Sequence, residues 1–445
     1  MLSFASLLRE SRATVLLALP LVAGQLSQML MGVADTLMIG RLGVVPLAAS
    51  TFANTLLYLP LMCGIGMSIA VSIKVSQARG AQEPVAARAA LRHGVYVAVA
   101  LGALTLLAAW LLLPVMPVFR QEPEVLRAVP HYFLLVAGSM AFAMASMAIK
   151  SHADAMNRPW PVFWILLGSV LFNVLLNWIF IYGNWGAPQW GLEGAGLATL
   201  LARVSGLMVM IWWCKRRPDL REWVPYRWLR RPDWVAVRSL LKTGFPASMQ
   251  LLAEVSAFVA ATLVIGTLSK EALASHQVAI SCVATVFMIP LGISMALTVR
   301  VGEVWGAKRP ERIRPMVMSG WLLATGVSLL SMTAFLSFND AMAGWFLKEP
   351  EARSVAASLL LVAAAFQLSD SLQILSSGAL RGLDDVAIPA WIAFGAYWVI
   401  SLPLGWVLTF PLGLGVSGMW WGITVGLTVT AVALGRRIWR KGGLG

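Results

Sequence analysis

Long apolar blocks and short polar segments alternate along this chain. The apolar blocks fall at 14–39, 46–73, 93–115, 130–149, 160–182, 193–213, 237–267, 272–299, 316–337, 354–377, 388–410 and 413–435. A helix needs about 20 such residues to cross a bilayer core, and these blocks meet that length. Several connections are short, as antiparallel neighbours require. The pattern predicts an all-α membrane protein with twelve transmembrane helices.

The twelve blocks divide into two sets of six. Sliding the chain by 226 residues lays "LPLVAGQLSQMLMGVADTLMIGRLG" over "FPASMQLLAEVSAFVAATLVIGTLS". Pro20 then meets Pro246, Thr36 meets Thr262 and Gly40 meets Gly266. Further on, Gly66 meets Gly292, Gly80 meets Gly306 and Pro84 meets Pro310. Shared glycines and prolines fix backbone geometry, which hydrophobicity alone does not. "GLEGAG" at 191–196 echoes "GVSGMW" at 415–420 with a small slip. The expected organisation is an N-terminal six-helix bundle (N-lobe, 1–214), a basic cytoplasmic linker (215–236), and a C-terminal six-helix bundle with a basic tail (C-lobe, 237–445). Six spans per repeat give both lobes the same orientation, so their symmetry axis runs along the membrane normal. A cleft between the lobes and a rocking, alternating-access motion follow from that geometry.

Composition strengthens this reading. Of 445 residues, 59% are hydrophobic and 12% charged, against about 25% charged in soluble domains. The net charge of +14 lies in short segments between apolar blocks, which argues against nucleic acid as a partner and for topogenic bias. Lys and Arg, Arg381 among them, concentrate on alternate connections and place both termini in the cytoplasm. The basic run 215–231 fits contact with anionic lipid headgroups. Arg9 and Arg12 precede a block that continues to Ile39 without a cleavage pattern, so it reads as a retained first helix. Cys63, Cys214 and Cys282 are isolated, indicating neither disulfides nor a structural metal. There is no HExxH, no GxSxG and no phosphate loop, so an enzyme lacks its parts. No cofactor is implied.

The candidate chemistry lies in polar residues inside the spans. Asp35, Glu254 and Asp370 sit well within the first, seventh and tenth blocks. An acid at mid-membrane costs about 2.5–3.5 kcal/mol on insertion scales and normally faces a bundle interior. Each has polar company at helical spacing: Gln25, Gln28 and Gly32 with Asp35; Gln250 with Glu254; Gln367 and Ser377 with Asp370. Asn173 and Asn177 share a face of the fifth span, and Gln277, Ser281 and Thr285 a face of the eighth. Such oxygen-rich stripes suit a hard cation or a shared proton. Hydrogen bonding between helices is the competing account, strongest for the two asparagines. The acids break the repeat, since Asp35 aligns with Ala261 and Glu254 with Gln28. Only Arg203 and Lys242 stand out as basic residues near span interiors. Three acids in two halves would allow more than one ion to be held. The 21 Met and 20 Trp are chiefly core and interfacial residues, some suited to an adaptable cleft.

At these residues the chain resembles the multidrug and toxic compound extrusion (MATE) family, and its NorM branch. The resemblance covers essentially the whole chain. It rests on "VADTLMIGRLG", "LLAEVSAF", "QLSDSLQ" followed by "GALRGLDD", and "FNVLLNWIFIYG" with "GLEGAGLAT". It implies a secondary transporter of the bacterial inner membrane, exporting cationic or amphipathic drugs in exchange for protons or sodium ions, and working as a monomer among membrane lipids. Asp35, Asn173 and Asn177 match the family's N-lobe cation-coupling site; Glu254 and Asp370 match its C-lobe cation site, and sodium at the coupling acids would be the only metal. Gln28, Gln250, Gln277, Phe366 and Gln367 are the candidate cleft residues. Phe366 departs from the pattern where a tyrosine is sought, which tilts the expectation slightly toward protons. A flippase of lipid precursors or polysaccharides is the alternative with the same architecture.

Overall fold

The computed structural model describes residues 4–441. It contains twelve helices long and apolar enough to cross a membrane: α1 (Phe4–Gly40), α2 (Val44–Gly80), α3 (Pro84–Leu112), α4 (Pro123–Ala155), α5 (Pro159–Tyr182), α6 (Gly191–Arg216), α7 (Trp234–Gly266), α8 (Lys270–Gly306), α9 (Ile313–Phe346), α10 (Pro350–Gly382), α11 (Ala387–Thr409) and α12 (Gly415–Lys441). No strand occurs among the described residues. The all-helical, twelve-span fold agrees with the sequence pattern. The helices overrun the apolar blocks: α1, α2 and α8 have 37 residues each, about 55 Å at the standard rise. That exceeds a hydrocarbon core of about 30 Å, so their polar ends extend past it.

Proline sets several starts. Pro84, Pro123, Pro159 and Pro350 each occupy the first turn of their helix, where the missing N–H has no intrahelical partner to lose. Gly183 stops α5 in a left-handed conformation, φ 74°, which a side chain would strain.

The repeat is geometric as well as compositional. Gln82 and Lys308 are left-handed at φ 58° and 56°, and so are Asn157 and Asp384 at 56° and 59°. Non-glycine residues rarely adopt this conformation, and here it recurs at repeat-related helix ends.

Two compact units emerge, but their border does not follow the linker. One unit comprises the segment ending at Val22 together with residues from Met249 onward; the other spans Ala23–Ser248. The border runs through α1 and α7, two residues after Pro20 and Pro246. Close packing explains the difference from the expected division at 215–236. In the C-lobe unit, a Cβ on Gly292 of α8 would lie 2.3 Å from Val22 Cγ2, and Glu10 of α1 is buried between Arg300 and Arg312. In the N-lobe unit, a Cβ on Gly66 of α2 would lie 2.2 Å from Ser248 Oγ, whose hydroxyl bonds to the Cys63 carbonyl. Gly66 and Gly292 are repeat partners, as are Val22 and Ser248, so the exchange of helix halves is reciprocal.

The linker is a docked strap. His93 Nε2 accepts the Asp233 N–H at 3.0 Å, and the Tyr96 hydroxyl accepts from Arg230 N while donating to Trp228 O. Arg158 pairs with Asp219 at 2.8 Å. These bonds hold it on α3 and on the turn after α4.

Candidate functional site

Each unit encloses one polar cluster. In the C-lobe, α7 brings Glu254, α10 brings Asp370 and α11 brings Tyr397. α10 is the most enclosed helix of the protein, and Asp370 is buried on it. Helix α11 widens into a π-helical turn at Gly395–Ser401, a feature common at functional sites. Trp398, on this turn, donates to the Ala253 carbonyl at 3.2 Å, which fixes the turn beside Glu254. The two carboxyl groups interact by charge, and the Tyr397 phenol lies within reach of both. The Tyr397 phenol has the Glu254 carboxyl as its neighbour, while both polar atoms of Gln367 are buried without a protein hydrogen-bond partner. Buried polar groups nearly always find partners, so these are free to serve a transient one.

Below the acids, α10 continues the stripe. Asp370, Gln373, Ser377 and Arg381 follow steps of three and four residues, and all are buried. Arg381 donates to Gln250 Oε1 at 3.3 Å, and Gln250 Nε2 donates to Ser377 Oγ at 2.8 Å. Charge–counting had grouped Arg381 with the cytoplasmic loops; the structure encloses it in the lobe. The reason is that α10 runs on to Gly382, and three turns past Asp370 the same face recurs. Arg381 thereby acts electrostatically on Glu254.

Phe366 is packed into an aromatic wall, its ring 6.3 Å from Phe258 and 5.6 Å from Trp420. Tyr397 lies 6.4 Å from Phe258. The phenol that position 366 lacks is therefore present on α11. His276 is also enclosed here: Trp420 Nε1 donates to its Nδ1 at 3.1 Å, and its Nε2 lies 2.9 Å from Thr262 Oγ1. Accepting at Nδ1 requires a neutral ring.

In the N-lobe, Asn177 Nδ2 donates to Asp35 Oδ1 at 2.6 Å and to Asn173 Oδ1 at 3.2 Å. The three residues expected to meet do meet. Both asparagines are fully buried, with Asn173 Nδ2 and Asn177 Oδ1 unpartnered. Arg203 reaches in from α6, donates to Ser139 Oγ at 2.7 Å, and acts by charge on Asp35 and Tyr132. The Tyr132 hydroxyl accepts from Asn54 at 3.3 Å.

Of the cleft candidates, Gln250, Phe366 and Gln367 are buried in the C-lobe cluster. Gln277 is exposed on α8 and does not join them, and Gln28 is half-buried in the other unit. Sequence reasoning missed Tyr397, whose only signal is a lone phenol within an apolar run. It misplaced Arg381, whose signal is its register with Asp370 and Ser377.

The two repeat units are matched separately by one family model, MatE, over residues 20–179 and 246–407. The chain belongs to the MatE family. The two matched stretches begin 226 residues apart, the same interval as the internal repeat. Relatives include a probable multidrug resistance protein NorM from Rhizobium meliloti (strain 1021), 33% identical over 96% of this chain and 93% of that one. Another, of the same description, is from Bradyrhizobium diazoefficiens, 35% identical over 94% and 91%. Among solved structures, the Vibrio cholerae MATE transporter VcmN in its bent form matches with TM-score 0.90 at 21% identity, covering 99% of both chains. The eukaryotic MATE transporter AtDTX14 matches with TM-score 0.87 at 19% identity, covering 98% of both. As a MatE protein, this chain is a multi-pass membrane transporter and not an enzyme.

Proposed function

We propose that this protein is an antiporter of the bacterial inner membrane, with both termini in the cytoplasm, that exports cationic or amphipathic drugs in exchange for protons or sodium ions. The NorM description of its relatives supports the substrate class. The observation that carries the coupling is the Glu254–Asp370 pair, two interacting carboxyl groups with the Tyr397 phenol beside them in a transmembrane bundle. Two acids that close cannot both stay ionised and bare in low dielectric. A proton or a sodium ion relieves them, and a cationic drug that displaces the ion closes the exchange. Asp35, with Asn173 and Asn177, forms the N-lobe counterpart and acts as a gate. The repeat units serve as the moving bodies, and the protein works as a monomer.

The test is ethidium uptake into inverted membrane vesicles with sodium and proton gradients imposed separately. Uptake driven by one of the two identifies the ion. Indifference to both would end the antiport reading. The flippase alternative needs basic side chains free to bind phosphate. The two arginines within the clusters are instead engaged with a neighbouring hydroxyl and a neighbouring amide, which favours the drug antiporter.

A further inference from the structure

Between Asp370 and the end of α10 at Gly382 the interior of the C-lobe stays polar. Gln373 follows Asp370 by one turn on the α10 stripe and is fully enclosed. Neither polar atom of its side chain has a hydrogen-bond partner among the described residues, and the same holds for Gln367 on the other side of Asp370. Buried amides nearly always find partners, and a buried site offering two or more polar atoms holds water. Gln373 therefore marks a hydrated step leading away from the acids, toward the end of α10 that the proposed orientation puts at the cytoplasm.

That polar path stops at Arg381, about 16 Å beyond Asp370 at the standard helical rise. Arg381 donates to Gln250 Oε1 at 3.3 Å, and Gln250 Nε2 donates to Ser377 Oγ at 2.8 Å. All three side chains are buried, and the two bonds tie α7 to α10 across the lobe interior. Arginine keeps its charge in proteins. A fixed positive charge set across a narrow polar path excludes cations and protons.

The other repeat closes the same level differently. Gly24, Lys150 and Asp154 hold the places of Gln250, Ser377 and Arg381 in the register of the repeat. Lys150 pairs with Asp154 at 2.8 Å, both buried, and its Cε lies 3.9 Å from where a Cβ on Gly24 would stand. That cation is cancelled by a carboxylate of its own helix. Arg381 is hooked to a neutral amide instead. We propose that Gln250, Ser377 and Arg381 form a plug that stops the coupling ion from leaking out of the Glu254–Asp370 site through the body of the C-lobe, with Gln373 holding water between site and plug. This rests on the antiport reading, since exchange is tight only where the ion cannot cross without drug.

The experiment uses the full chain in proteoliposomes without drug. A potassium diffusion potential set with valinomycin drives cation flux, read for protons with trapped pyranine and for sodium with a radioactive tracer. Wild type should be as tight to both ions as protein-free liposomes. Arg381→Gln should raise the flux of one of them about tenfold or more, because the fixed charge is gone. Arg381→Lys keeps the charge and should stay tight. Adding Gln373→Leu to Arg381→Gln dries the path and should restore tightness, which a lobe that is merely loosened would not do. Gln250→Ala unhooks the charge without removing it, and should leak about threefold. A leaking wild type overturns the inference. So does a folded Arg381→Gln as tight as wild type, or a leak indifferent to Gln373→Leu. Should Arg381→Gln not fold, Gln250→Ala decides, and a folded, tight Gln250→Ala overturns the plug. Ethidium uptake by wild type under imposed gradients keeps the two readings apart: with uptake present, a failed plug leaves the antiporter standing. Without uptake under either gradient, the antiport reading falls and the plug with it.

Discussion

The two lobes share a frame and differ in what they place on it. Helices α5 and α11 hold corresponding places in the repeat. α5 is regular throughout and presents Asn173 and Asn177 one turn apart, aimed at Asp35. α11 opens into a π turn and presents a single phenol, Tyr397, to two acids. The N-lobe acid is tied down by a 2.6 Å bond to an amide and balanced by Arg203. The C-lobe acids act on each other by charge, and Arg381 acts on Glu254. A duplicated scaffold has thus kept its backbone landmarks, such as Gly66 and Gly292, while its intramembrane charges diverged. Corresponding places in the two lobes therefore carry different chemistry.

The sharpest way to break this comparison is to neutralise the C-lobe acids. Glu254→Gln and Asp370→Asn should each cut gradient-driven ethidium efflux about 100-fold or more, and the double variant should be scarcely worse, since members of one site are not additive. Losses that multiply in the double variant would divide the pair into two sites.

Asp35→Asn should also stop efflux while the protein still inserts, but with a second signature. It leaves Arg203 without the carboxylate that acts on it by charge, which lowers stability. Thermal unfolding in detergent should show that loss in Asp35→Asn. Adding Arg203→Gln should restore stability but not efflux. Equal instability in the single and double variants would mean the two charges do not communicate.

The reciprocal helix exchange gives a third test, of packing alone. At Gly66 an added methyl meets the Ser248 backbone nitrogen at 2.4 Å, which cannot move aside. At Gly292 the nearest obstacle is a Val22 methyl, with backbone at 3.1 Å. Gly66→Ala should therefore cost about 3 kcal/mol and Gly292→Ala about 1, and Val22→Ala should rescue only the latter. Equal costs would show that the two crossings tolerate volume alike.

The smallest effect expected is that of Tyr397→Phe. Removing one hydroxyl from the ion's surroundings should weaken the apparent ion affinity about tenfold, the equivalent of roughly one hydrogen bond, without altering expression. No change in affinity would exclude the phenol from the site.

Much of this was legible in the residues. The twelve spans followed from block length, and the repeat from glycine and proline register. The Asp35–Asn173–Asn177 cluster was readable because a spacing of four on α5 puts both amides on one face. The π turn was not, since a helix widened by one residue has the same composition as its neighbours. Arg381 was misassigned because counting charges by side treats an arginine near a span end as loop. Only the length of α10 shows that its side chain returns to the Asp370 face. The crossing of the lobe border through α1 and α7 was also hidden. It depends on which neighbours two glycines let in, and no local pattern encodes a partner more than 200 residues away.

That border also has a consequence for how the protein is made. The N-lobe unit is complete once Ser248 has been synthesised. The segment ending at Val22 emerges first, yet belongs to the unit made last. Arg300 and Arg312 follow about 50–65 residues later, on the order of 3–13 s of translation at about 5–20 residues per second. Until then Glu10 has neither Arg300 nor Arg312, because neither residue exists yet. The earliest part of the chain to be synthesised is among the last to reach its final place.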